Sequence, residues 1–458
     1  MLFHAWPFFV FFAVVYPIYL LVKGTRLRLP WLLLTSYVFY AWLSPLYLIP
    51  LAYATVVDYL VAGRIEKGRR RKAWLFVSIA NDLSLLAFFK YAGFIAENIN
   101  LLFASLKIPY GIPAPGFLLP AGLSFYLLQS IGYTIDVYRG TTKRETSLLA
   151  YAVFVSFFPR LLAGPIERAN HLLPELRTSR RVRLQDFTDG LSMFVVGYFK
   201  KVALADYLAL YVAQVYGAPG EFQSPALLLA TFLFAWQIYF DFSGYTDMAR
   251  GVARMMGVRL MLNFNNPYLA VSMGDFWRRW HISLSSWFRD YVYIPLGGNR
   301  KGKAATYRNL WVTMVLSGLW HGAAWTFVLW GAVHALGNCA TREFERTPFY
   351  ARRVPKVVRQ LFVFVLVTFA WIFFRAGSIG DAWMIVTRIF TSGLANPHCP
   401  LAALGLIGAV WGYQYAFESR LRRVLELRAV RVILMIALLV YLALTVRAEG
   451  SPFIYMQF

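Results

Sequence analysis

The chain has 458 residues, 59% of them hydrophobic and only 15% charged, with a mean hydropathy of +0.53. Soluble domains carry roughly a quarter charged residues, so water is not this protein's main solvent. The formal net charge of +24 would suggest nucleic acid in a soluble protein. Here the Lys and Arg residues fall mostly in short connections between apolar runs, as the positive-inside bias requires, and no nucleic-acid partner is expected. The basic connections suit anionic membrane lipids instead.

Apolar stretches recur along the whole length, many of them near the roughly 20 helical residues that a hydrocarbon core needs. The apolar–polar alternation of a membrane β-barrel is absent. The fold class is therefore an all-α polytopic membrane protein. The first apolar run, 6–22, has no Lys or Arg before it, whereas Lys23, Arg26 and Arg28 follow it. That is the reverse of a cleavable signal peptide and predicts a retained span with its N-terminus outside.

Arg26, Arg28 and the basic run 64–72 both belong on the cytoplasmic face, so the chain between them crosses twice as helices 31–42 and 46–61, turning at Ser44-Pro45. The run 73–92 leads outward and continues apolar to Leu106. An uncharged Pro/Gly loop follows at 109–116, and 118–138 returns to a basic stretch. The segment 156–165 is apolar but broken by Pro159 and Pro165. Non-helical backbone at membrane depth survives only where protein or a water cavity covers it, so this segment reads as re-entrant or interfacial.

Helices are expected at 187–199, 202–216 and 226–242. Residues 243–308 mix aromatics, Arg, Asn, Gly and Pro without a clean span, predicting short interfacial or re-entrant helices. Further helices follow at 309–319, 323–336, 357–374, 401–417 and 430–446. The basic run 420–431 places the C-terminus outside, so the number of crossings is even, about ten or twelve at roughly 20 residues each. No internal repeat is visible, so an inverted-repeat transporter architecture is unsupported.

Two histidines stand out. His321 lies in Leu-Ser-Gly-Leu-Trp-His-Gly-Ala-Ala-Trp, inside a run from 309 to 341 with no Asp, Glu, Lys or Arg. Titratable groups inside membrane spans are functional candidates by default. A hydrogen-bonded link between helices would also explain the residue. Gly318 and Gly322 leave backbone room beside the ring, and a neutral imidazole is the natural general base near pH 7. His281 lies among Trp277, Arg278, Arg279, Trp280 and Trp287. The spacing of Trp277, Trp280 and Trp287 puts them on one helical face. That face fits either an interfacial helix at headgroup level or an Arg- and Trp-rich mouth for a phosphate-bearing donor.

Trp320 and Asp241 join the donor-binding candidates. For Asp241 and Asp247 the favoured reading is pairing with Arg250 or Arg254 to tie helices together. His334 on one helix with His321 would sit roughly 220° round and about 20 Å along, so it is read as structural or supporting. The six histidines hold no i,i+4 pair and the two cysteines no ligand spacing, so no metal is expected.

Trp280-His-Ile-Ser-Leu-Ser-Ser-Trp-Phe-Arg-Asp-Tyr-Val-Tyr-Ile-Pro-Leu-Gly-Gly-Asn-Arg300 and Ser317-Gly-Leu-Trp-His-Gly322 closely resemble the membrane-bound O-acyltransferase (MBOAT) family, best its branch named for alginate O-acetylation. Tyr239-Phe-Asp-Phe-Ser-Gly-Tyr-Thr-Asp-Met-Ala249 and Phe453-Ile-Tyr-Met-Gln-Phe458 fit the same branch, apart from Met456 where Phe is commoner. The resemblance runs from near the N-terminus to the last residue. It implies a ring of membrane helices with short re-entrant helices around a central tunnel, a single domain over 1–458, and a catalytic core at 240–340. It makes His321 essential and His281 the second signature position. It also implies that an extracytoplasmic tail, 447–458, receives the acyl group at Tyr455 between Phe453 and Phe458. Twelve residues after the last span reach roughly 40 Å at about 3.3–3.6 Å each, so the tail is long enough either to enter a tunnel as a relay or to plug it.

The expected function is transfer of an acyl group, acetyl above all, from a cytoplasmic thioester such as acetyl-CoA to a hydroxyl, for O-acetylation of an extracytoplasmic polysaccharide such as alginate. An esterase-like transferase of the SGNH type is the expected partner and the bacterial inner membrane the expected location. The rivals are a transporter or flippase without chemistry, and family members acting on teichoic acid, peptidoglycan, lipid or secreted protein.

Overall fold

The computed structural model describes residues 1–113, 115–116, 119–178 and 181–445. Every regular element among them is helical. The chain divides into two units, Met1–Leu191 with Ala249–Met261, and Ser192–Met248 with the residues from Leu262 onward.

The first unit opens with α1 (Trp6–Val22) and α2 (Arg28–Ala41). The chain breaks at Ser44-Pro45, where the turn was expected, because Pro45 opens a short 3-10 turn that leads into α3 (Leu48–Lys67). Helix α4 (Arg71–Leu86) passes through a π turn, Ala87–Tyr91, into α5 (Ala92–Ser105), so the expected run to Leu106 is one long helical path. Then come α6 (Leu123–Arg139), α7 (Leu148–Ser156), α8 (Phe158–Leu161) and α9 (Ala169–Arg177). The broken segment around Pro159 is buried throughout, from Ser156 to Glu167. Protein groups satisfy its backbone: Ser36 Oγ accepts from Phe158 N–H at 3.0 Å, and Gln129 and Arg160 donate to the carbonyls of Phe154 and Val155. That is the cover such backbone demands at membrane depth.

Two of the boundaries that differ from expectation do so for one reason. The helices expected at 187–199 and 202–216 form a continuous path: α10 (Leu184–Tyr198) runs through a π turn, Phe199–Ala205, into α11 (Asp206–Gly217). Likewise the helix expected to close at Phe242 runs on as α12 (Ser224–Met255). The charges read as helix ends are neutralised inside the protein. Lys201 Nζ lies 2.8 Å from Asp206 and 2.9 Å from Asp241, and Lys200 Nζ lies 2.7 Å from Asp247. Asp241 and Asp247 thus pair with these lysines. Arg254 holds Asp186 at 2.8 Å within the first unit.

The second unit continues with α13 (Met273–Arg279), α14 (Ile282–Phe288), α15 (Gly302–His321), α16 (Trp325–Arg346), α17 (Pro348–Arg353), α18 (Lys356–Arg375), α19 (Ile379–Thr391), α20 (Leu401–Phe417), α21 (Arg422–Leu425) and α22 (Arg428–Thr445). Four helical stretches among the described residues are long and apolar enough to cross a membrane: Pro45–Glu66, Arg71–Ser105, Ser224–Met255 and Lys356–Arg375. Helices α1 and α20 are apolar but shorter. Helices α13 and α14 have seven residues each and are too short to cross, in line with the reading of 243–308.

Candidate active site

His321 is the last residue of α15, and the turn to α16 consists of Gly322, Ala323 and Ala324. Glycines hold this hairpin closed. A Cβ on Gly318 would meet the Phe327 carbonyl oxygen at 2.2 Å, one on Gly322 the Phe327 ring at 1.9 Å, and one on Gly331 the Met314 carbonyl oxygen at 2.4 Å. Only residues without side chains allow this approach. The His321 ring sits against Trp320, Trp330 and Phe374, with centroids at 4.9, 4.9 and 5.3 Å, and the residue is 3% exposed.

His334 lies on α16, the other arm of the hairpin, and its ring lies 4.5 Å from that of Trp330. Both histidines thus bear on one indole.

A correction concerns the Trp277–Trp287 face. Helix α13 ends at Arg279 and α14 begins at Ile282, and between them His281 adopts φ +42°. Left-handed backbone is uncommon for a side chain other than glycine, so the three tryptophans do not share one helix. Asn263 holds the break in place. Its backbone carbonyl accepts from Ile282 N–H at 2.9 Å, and its Oδ1 accepts from Ser283 N–H at 3.2 Å and Ser283 Oγ at 2.9 Å. The two amides are orphan donors of the first turn of α14.

His281 is fully buried, with Nδ1 3.1 Å from Asn263 Oδ1. Phe242 stands edge-on at 4.7 Å and Trp320 at 6.1 Å. Burial pushes the His281 pKa down from its usual value, so the ring is neutral at pH 7. Trp320 thus touches both His281 and His321.

A cavity of about 780 Å³ opens beside the hairpin, lined among others by Trp277, Arg278, Arg289, Ser317, Asn338 and Arg342. Ser317 is one turn before His321 on the same face of α15. The cavity walls are mainly apolar with three guanidinium groups, a lining that suits an apolar or thioester-bearing chain ending in an anionic group.

The chain matches the model of the MBOAT, membrane-bound O-acyltransferase, family over residues 143–379. The chain belongs to this family. It is 41% identical over 390 residues to "Probable alginate O-acetylase AlgI" of Pseudomonas aeruginosa, covering 84% of this chain and 74% of that protein. The protein of the same name from Azotobacter vinelandii is 41% identical over 395 residues, covering 84% and 77%. A "Peptidoglycan O-acetyltransferase" of Helicobacter pylori is 34% identical over 392 residues, covering 78% and 72%. The protein is a membrane-embedded acyltransferase.

Within this O-acyltransferase the sequence candidates separate. His281, Trp320 and His321 form one contact chain. Trp277 and Arg278 line the cavity, and the Arg278 side chain is 72% exposed. Arg279 is instead tied to Asp275, the Asn265 carbonyl and Glu418. Trp280 is fully buried, packed on Phe276, Phe264 and Trp371. Asp241 holds Lys201. Tyr455, Phe453 and Phe458 lie outside the described residues. No group of three or more metal-ligating side chains occurs among the described residues.

Sequence reasoning passed over Asn263, Trp330, Trp371 and Phe374. The string Asn263-Phe-Asn-Asn-Pro was a signal for a specific turn. The others read as ordinary core aromatics until packing placed them around the histidines.

Proposed function

We propose that this acyltransferase moves an acetyl group from a cytoplasmic thioester, acetyl-CoA, to a hydroxyl on the route to an extracytoplasmic polysaccharide, alginate or a close analogue. The cavity carries the reading: its walls include Ser317, one helical turn from His321, together with Arg278, Arg289 and Arg342. The guanidinium groups would hold the donor's phosphates, and the apolar walls its pantetheine arm. The two AlgI relatives and the peptidoglycan enzyme are all named for acetyl transfer to glycans, which supports the acceptor class.

In the chemical step His321 takes the proton of the attacking hydroxyl as its oxygen bonds to the thioester carbonyl carbon. The tetrahedral oxyanion collapses, the C–S bond breaks, and the departing sulfur carries the proton away from the imidazolium. A thiol pKa near 8.5 makes sulfur a good leaving group. The oxyanion needs pre-aimed donors. The Nε1–H groups of Trp277, Trp280, Trp330 and Trp371 are buried and meet no acceptor among the described residues, and they are the candidates.

The tail residue Tyr455 would take the acetyl group first and pass it to an esterase-like SGNH partner outside, in a bacterial inner membrane with both termini extracytoplasmic. The reading is tested with the purified full-length enzyme in nanodiscs and acetyl-CoA labelled in the acetyl carbon. Label should reach the protein tail and, with partner and deacetylated alginate added, the polymer. Label that stays in acetyl-CoA under both conditions rules out this donor.

A further inference from the structure

We propose that Asn263 is a positioning residue that fixes the His281 proton on Nδ1 and so leaves Nε2 as the hydrogen-bond acceptor of the ring. The inference rests on the reading above only in taking His281 as part of the site.

Three donors or potential donors point at one atom of Asn263. Ser283 N–H can only donate, and it lies 3.2 Å from Oδ1. The Ser283 hydroxyl reaches the same atom at 2.9 Å. With the amide turned round, its NH2 would face the Ser283 N–H, donor against donor, so the atom there is the oxygen. An amide oxygen only accepts. The ring nitrogen 3.1 Å from it, His281 Nδ1, must therefore carry the proton. A neutral imidazole has one N–H and one lone pair, which leaves the lone pair on Nε2.

The same residue fixes where the ring points. Asn263 ties down both the Ile282 and Ser283 amides, and so holds the left-handed turn at His281. Backbone of this kind is strained and persists where its surroundings over-determine it. Phe242, edge-on at 4.7 Å, closes another side of the ring. A neutral His281 locked in this way accepts a hydrogen bond and does not supply one to the oxyanion. That duty falls to other donors, the indole N–H groups above all.

The tautomer can be read without turnover. Full-length protein labelled with ¹⁵N-histidine is placed in lipid bilayers, and the His281 signals are assigned by their loss in His281→Gln. The expected spectrum has a protonated Nδ1 and an unprotonated Nε2. In Asn263→Asp the oxygen contact is kept while a carboxylate now faces Nδ1–H, which favours the imidazolium. In this variant the ¹⁵N spectrum should show both ring nitrogens of His281 protonated up to a higher pH than in the wild type. Ser283→Ala removes one donor to Asn263 and should leave the tautomer unchanged. A protonated Nε2 in the wild type overturns the proposal, as does a His281 ring in Asn263→Asp that protonates over the same pH range as in the wild type. An Nδ1–H signal in a preparation inactive on acetyl-CoA counts against that donor and still supports the lock.

Discussion

His321 and His334 press on the same indole, the Trp330 ring lying 4.9 Å from the first and 4.5 Å from the second. They sit on opposite arms of the α15–α16 hairpin, so the indole fixes one arm against the other beside the proposed base. The two residues should therefore respond differently to replacement. His321→Ala should fold and insert yet lose transfer by about 10²–10⁴-fold, the usual contribution of a positioned base. His334→Phe keeps an aromatic ring in the cluster and should retain most of the turnover. Initial rates of label transfer from acetyl-CoA compare them, and a His321→Ala enzyme near wild-type rate would remove it from the base role.

The hairpin glycines make a stability prediction. Gly331→Ala puts a methyl group where the Met314 carbonyl lies 2.4 Å away. The helices must separate, and overpacking of this kind costs typically about 1–3 kcal/mol. Thermal unfolding in detergent should show a lower midpoint. Gly405→Ala, where nothing lies within 4 Å, is the control and should not unfold earlier.

Lys201 is almost fully buried between Asp206 and Asp241. Lys201→Met would leave two carboxylates without that cation, and breaking a buried ion pair costs about 3–5 kcal/mol. The triple change Lys201→Met, Asp206→Asn, Asp241→Asn should recover much of the loss. Yield of monodisperse protein and its unfolding temperature measure both. An undamaged Lys201→Met protein would show that the network adds little.

At the cavity mouth, Arg278→Gln and Arg342→Gln should raise the KM for acetyl-CoA, each by about tenfold, with kcat little changed. A hydrogen bond to a charged group is worth about 1.5–3 kcal/mol. Such a change removes binding shared by ground and transition states. An unchanged KM in the double variant would place the donor's phosphates elsewhere.

Tyr455→Phe keeps the ring and removes only the hydroxyl. The relay predicts that polymer acetylation falls to background while acetyl-CoA still binds. Wild-type acetylation in this variant would make the tail a plug.

The apolar architecture was legible because membrane burial leaves long unbroken runs: 401–417 coincides with α20, and the turn at Ser44-Pro45 is where the backbone breaks. Charges misled where they are internal. Lys200, Lys201, Asp241 and Asp247 look like helix ends in a hydropathy reading, yet they pair across helices that do not end there. The two histidines were visible as isolated polar groups in aromatic strings. Their arrangement was not, because a left-handed residue at His281 and a three-residue turn after His321 leave no periodic trace. Nor could spacing reveal Asn263, whose grip on His281 acts across a gap in sequence closed only by folding.

His321 ends a twenty-residue helix, and that position has an electrostatic consequence. The aligned peptide dipoles of α15 place about half a negative charge at its C-terminal end. When the imidazole takes a proton in mid-reaction, the new positive charge appears beside that end and is favoured by about 0.3–1 kcal/mol, up to ~2 in partly buried geometries. The backbone thus supplies part of the counter-charge for the imidazolium in a stretch that has no acidic side chain of its own.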